Sequence, residues 1–149
     1  MREATKLWQR LERDYLDEHK HATNRLLHRI GVPLIVFSIL LALHGVPWFD
    51  APFWVVLGWS ASYAIGSRVL ATITLILFIV AWILSAWVVE GTGSGVPWAL
   101  TTILFLGGWT LLLYGHRLEG NRPAFRTNLV HLWVAPMALV SEVKRGFTT

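Results

Sequence analysis

The sequence predicts an all-α, polytopic membrane bundle. It has about four spans, an N-terminal amphipathic helix, and a C-terminal helix that is interfacial or re-entrant. Three observations predict this. Apolar residues make up 54% of the 149 and charged residues only 15%, where a soluble domain usually carries about 25% charge. Long apolar runs recur along the chain. Finally, the 13 Lys and Arg are segregated in a way that only a membrane explains.

The first 25 residues are polar. Leu7, Leu11 and Tyr15 recur every four positions with Trp8 beside them, which reads as an amphipathic helix over roughly residues 3–19. A cleavable signal would be basic, then apolar, then small, and this mixed-charge segment is none of these. Thr23 or Asn24 is the expected N-cap of the next helix.

Four apolar runs follow: Leu26–Leu43, Ala51–Gly66, Val69–Val89 and Val96–Tyr114. The last two carry no charge and, with the first, are near the ~20 residues that a span needs. The run 51–66 is the weakest of the four. Leu129–Val140 contains Pro136 and is too short to cross. The whole chain, 1–149, is expected to be one integral membrane domain. It divides into an amphipathic segment (1–23), the spans (24–114) and a C-terminal motif region (115–149).

With the N-terminus in the cytoplasm, four spans place residues 1–29, Arg68 and everything after Tyr114 inside. These segments hold all 13 basic residues, and the outer loops hold only Asp50 and Glu90. The positive-inside rule is obeyed throughout. The net charge of +4 is thus accounted for without nucleic acid as a partner. Trp48, Trp54 and Trp98 flank the outer loops as an aromatic belt would. A bacterial inner membrane and an endoplasmic reticulum share this charge bias. There are no Cys, which excludes disulfides, thiolate metal sites and Cys nucleophiles.

The six His are the chemistry-bearing residues. Five of them, His19, His21, His28, His116 and His131, fall at or near the cytoplasmic face, and His44 falls outside. An even number of spans returns His116 to the side of His19 and His28, so ligands about 90 residues apart can meet. His19 and His28 are nine positions apart, about 900° of helical rotation. They share a ligand only if the chain turns between them, which the cap signals at 23–24 allow. Tyr15/His19 and Asn24/His28 are i, i+4 pairs, and His116/Glu119 and Asn128/His131 are i, i+3 pairs. Neutral imidazoles suit Fe, Zn, Cu or Ni. Asp17, Glu18 or Glu119 could serve as a carboxylate ligand or orient a ring.

Blander roles stand beside these. Interfacial His, a core Tyr15, and Arg117, Arg122 and Arg126 bound to lipid phosphate all fit the pattern. His21 and His44 are read as interfacial and loop residues. The Gly107–Gly108 pair reads as a site of close helix packing.

Two segments, Y-L-D-E-H-K-H-A-T-N-R-L-L-H-R-I-G-V-P at 15–33 and G-H-R-L-E-G-N-R-P-A-F-R-T-N-L-V-H-L-W-V-A-P at 115–136, together resemble a small membrane family. One branch of it is the Fe(II)-dependent 2-hydroxy fatty acid dioxygenase of fatty acid α-oxidation. The resemblance spans nearly the whole chain. It implies iron held by His19, His28 and His116. His131 stands where Gln is expected in the dioxygenase branch, and this departure makes it the candidate fourth ligand. Tyr15 and Asn24 match the first motif as catalytic-site residues, with Glu119 the acidic one although it stands one position early; independently, Arg117, Arg122 or Arg126 could pair with a substrate carboxylate, whose geometry a guanidinium matches. The implied cofactor is Fe(II), with Zn able to replace it in purified protein. The implied partners are a fatty acid or lipid substrate, O2 and membrane lipids. The alternatives are a haem-binding carrier and a non-catalytic membrane protein.

Overall fold

The computed structural model describes residues 2–17, 19, 21–47, 50–120 and 132–141. Among these, every regular element is a helix. The helices are α1 (Arg2–Asp17), α2 (Ala22–Leu43), α3 (Ala51–Tyr63), α4 (Arg68–Thr92), α5 (Trp98–Leu118) and α6 (Leu132–Ser141).

Local chemistry sets the helix ends. Asp50 caps α3 by accepting the Phe53 N–H at 3.1 Å, with Pro52 in the first turn. Ser67 caps α4 by accepting from Leu70 N–H at 3.3 Å. Gly93, at φ 63°, closes α4 in the left-handed conformation that glycine tolerates. The cap of α2 differs from the sequence expectation. The N-cap lies two to three residues earlier, at His21, whose Nδ1 accepts the Thr23 N–H at 3.2 Å.

Three helices are long and apolar enough to cross a membrane: α2, α4 and α5, with 22, 25 and 21 residues. At 1.5 Å per residue each exceeds the ~30 Å hydrocarbon core. The fourth expected span is a correction. α3 has 13 residues and reaches only about 20 Å, because it starts at the Asp50 cap and ends in the turn after Tyr63, before Ser67 caps α4. It still returns the chain across the bundle. Gly45, just beyond α2, lies against the Trp98 ring at the start of α5. Tyr63, at the other end of α3, packs edge-on against Trp8 of α1, with ring centroids 5.4 Å apart. Large apolar side chains such as Ile76, Leu77, Ile103 and Leu106 are exposed, as lipid-facing residues are. Trp54, Trp87 and Trp98 are exposed toward the end opposite α1, and Trp48 lies outside the described residues.

The most extensive helix pair is α2 with α5, and they run antiparallel. Two glycines let their backbones meet. A Cβ at Gly108 would sit 2.8 Å from the Gly31 carbonyl oxygen, and one at Gly31 would sit 2.9 Å from the Gly108 carbonyl oxygen. Gly107 has nothing within 4 Å. The expected Gly-Gly packing site is therefore Gly108 with Gly31. His44 is not a simple loop residue either. It is the C-cap of α2, and its Nε2 bonds the buried Ser85 hydroxyl of α4 at 3.0 Å.

α6 is too short to span, as expected for the C-terminal run, but it is buried rather than surface-bound. Val134, Ala135, Met137 and Ala138 all belong to the core. Trp59 of α3 donates to the Trp133 carbonyl at 3.2 Å and stacks on the Trp133 ring at 5.0 Å. The Tyr63 hydroxyl donates to the same carbonyl. Ser141 donates to the Glu12 carboxylate of α1 at 2.6 Å. Thus α1 and α6 lie together against the end of the bundle where α2 begins and α5 stops.

Candidate metal centre

Three chain segments converge at that end. His19 lies two residues beyond the end of α1, His28 sits nearly two turns into α2, and His116 lies in the last turn of α5. The turn between His19 and His28 is what the nine-residue spacing requires. It lets two rings that would oppose each other on one straight helix face the same point.

All three rings are buried, at 2%, 3% and 5% exposure. One candidate ligand nitrogen from each lies within 4.8 Å of the other two. Ring centroids are 4.3 Å apart for His19–His28, 5.1 Å for His19–His116 and 4.9 Å for His28–His116. A metal at ~2.1 Å from each nitrogen would hold the ligand atoms roughly 3–4 Å apart. Small ring movements bring the set to that spacing, so the residues fit a metal ion.

The backbone selects the nitrogen that each ring offers. His19 Nδ1 bonds the Tyr15 carbonyl, and His28 Nδ1 bonds the Asn24 carbonyl at 3.0 Å. A carbonyl only accepts, so both Nδ1 atoms carry the proton. The Nε2 atoms then hold the lone pairs, which is how metal-binding His are usually oriented. Both contacts span four residues, one helical turn back along the chain.

Other expected residues divide by position. Tyr15 is buried and stacks on the His19 ring at 4.1 Å. Asn24 is fully buried, and neither atom of its amide has a hydrogen-bond partner among the described residues. Gly115 presses against that amide, where any Cβ would collide with it. Glu119 is the C-cap of α5, and its carboxylate accepts the backbone N–H of His21 at 2.6 Å. It therefore ties the turn between His19 and His28 to the helix that carries His116. Arg117 is exposed beside His116 and does not line the crevice below the rings. Arg122, Arg126 and His131 lie outside the described residues.

That crevice leaves about 10 Å³ of free volume and is walled by Tyr15, His28, Trp109, Leu112, His116 and Ala135, with Val32 and Leu132. The sequence reading missed Trp109 and Leu112. Their signal was present: 109, 112 and 116 follow i, i+3, i+7 spacing, which is one helical face. The arrangement can bind a cation through three imidazoles and press a largely apolar molecule against it.

No curated protein and no solved structure matches the chain. Residues 6–70 match the family model described as 2-hydroxy-palmitic acid dioxygenase Mpo1-like. The matched stretch runs from α1 to the start of α4 and contains His19 and His28, whereas His116 joins them only through the fold. Over that stretch, which includes the first of the two motifs, the chain is similar to the Mpo1-like family.

Proposed function

We propose that the protein is an integral membrane dioxygenase that uses Fe(II) and O2 to shorten 2-hydroxy fatty acids by one carbon. The carrying observation is the buried His19–His28–His116 triad, within a chain whose N-terminal half matches a family described as a 2-hydroxy-palmitic acid dioxygenase. Three neutral nitrogen ligands with open positions suit non-haem iron. Iron held there would supply O2 binding and activation.

The chain's own residues do the rest. The Tyr15 and Asn24 carbonyls hold the His19 and His28 rings with Nε2 facing the shared point. Trp109 and Leu112 exclude water from the crevice. The buried Asn24 amide, without a hydrogen-bond partner among the described residues, would bond the substrate's hydroxyl or carboxylate, and Arg117, Arg122 or Arg126 would pair with the carboxylate. His131 is the proposed fourth ligand. Burial of the acyl tail supplies most of the affinity, at about 0.8 kcal/mol per CH2. The overall change is balanced: a 2-hydroxy acid plus O2 gives the acid one carbon shorter, carbon dioxide and water.

The whole chain acts as one membrane unit, with the metal site on the cytoplasmic side. Arg68 and the basic residues of α1 support that orientation, since they share the end of the bundle that carries the three His. Nothing favours the haem alternative, because the rings crowd to 4.3–5.1 Å around about 10 Å³ of space. The test is oxygen uptake by the purified protein with Fe(II) and 2-hydroxypalmitate. Formation of the shortened acid supports the reading, and neither uptake nor product overturns it.

A further inference from the structure

A second cavity, of about 280 Å³, adjoins the metal centre. It lies between α2 and α4, with α6 forming part of its wall. Val32 lines both spaces, so the crevice beneath the rings and this groove share a wall. The shared stripe is continuous on α2, because His28, Val32 and Val36 follow one another at i+4 and all are buried. On α6, Leu132 and Ala135 face the crevice, while Pro136 and Leu139 face the groove. Along α4 the lining runs from Thr74 through Phe78 to Ala81, away from the end that holds the metal centre.

The groove's chemistry is one-sided. Among its lining residues only Thr74 has a polar side chain, and that hydroxyl already donates to the Leu70 carbonyl at 2.8 Å. Its one donor is used within the helix, so the groove offers a ligand no hydrogen-bond donor, and its apolar lining suits a hydrocarbon. Leu77, on its rim, is exposed, so the groove opens toward the surrounding lipid. At ~30 Å³ per water-sized group it has room for on the order of ten methylenes.

We propose that this groove is the acyl-tail subsite of the same reaction, and that Ala81 at its far end sets the length of chain accepted. This rests on the proposed function, because the tail must belong to a molecule whose head lies at His19, His28 and His116. An acyl chain could also come from a membrane phospholipid. The shared wall at Val32, which sets the groove beside the metal centre, favours the substrate, whose head must reach the metal.

The test is equilibrium binding to zinc-loaded full-length protein in nanodiscs. The probes are 2-hydroxypalmitate, 2-hydroxyoctanoate and a phosphatidylcholine with palmitoyl chains. Ala81→Phe is expected to weaken 2-hydroxypalmitate at least tenfold and to leave 2-hydroxyoctanoate within twofold. Leu77→Trp, at an exposed rim position that tolerates bulk, is the second variant and should act in the same direction. Equal loss for both acids, or loss for neither, overturns the proposal. So does competition by the phospholipid equal to that of 2-hydroxypalmitate, which would assign the groove to bulk lipid. Turnover with Fe(II), measured beside this, separates the two readings. A length-selective binding change without any turnover would sink the enzymatic reading alone. Turnover with no length effect of either variant would sink the subsite alone.

Discussion

Gly115 and Asn24 are in such close contact that α5 can approach α2 at the metal centre only because residue 115 has no side chain. The consequence is specific, because His116 is the next residue and His28 lies one turn beyond Asn24. Gly115→Ala should push the two helices apart, lower stability by about 1–3 kcal/mol as overpacked cores do, and weaken metal binding. Gly107→Ala is the control, since nothing lies within 4 Å of that position. Thermal melts and zinc titration of both variants check this. Equal behaviour of the two would contradict the close-approach role.

Glu119 acts on the backbone between two ligands rather than on a ring. Its carboxylate accepts the His21 N–H at 2.6 Å. Glu119→Ala should lower metal affinity by roughly tenfold, the low end of what loss of an orienting contact costs. Glu119→Gln keeps an acceptor oxygen and should recover most of it. Competition with a chelator of known affinity measures both. If Glu119→Gln is as weak as Glu119→Ala, the charge matters and not the hydrogen bond.

Helix α1 brings His19 to the site but is held at a distance from it. Trp8 packs on Tyr63 and against Gly66, and Glu12 accepts from Ser141. Trp8→Ala should cost about 3–5 kcal/mol of packing and undock α1. Hydrogen exchange along residues 6–17 should then accelerate, and metal binding should weaken although Trp8 touches no ligand. Unchanged exchange would mean that the His19 segment is anchored elsewhere.

His44 provides the matching negative. It bonds Ser85 at the opposite end of the bundle, and Ser85 also donates to the Trp82 carbonyl at 2.7 Å. A hydroxyl that spends its proton on a carbonyl accepts from His44, so this pair is a clasp and not a nucleophile with its base. His44→Ala should cost about 1 kcal/mol, seen as a lowered Tm, and leave metal content intact.

Much of this architecture is legible in the sequence, for physical reasons that also explain the failures. Val69–Val89 and Val96–Tyr114 read as spans because uncharged length alone decides the matter in lipid. The run 51–66 read as a fourth span because hydropathy does not register the Asp50 cap and the turn after Tyr63, which limit α3 to 13 residues. The i, i+4 spacing put Tyr15 with His19 and Asn24 with His28 on shared helix faces, but that their backbone carbonyls hold the rings was not legible. Glu119 with His21, Gly115 with Asn24 and His44 with Ser85 were not legible, because each joins segments that only the packed helices bring together. Gly108 was singled out for the right physical reason, but its partner Gly31 could not be read from spacing.

The most direct measurement is the metal content of protein purified anaerobically, compared with His19→Ala, His28→Ala and His116→Ala under the same conditions. The expected result is about one ion per chain in the parent, held by three imidazoles, and near-complete loss in each variant, with His44→Ala retaining the ion. A parent without metal, or any one of the three variants that binds it as tightly as the parent, would contradict a shared centre built from His19, His28 and His116.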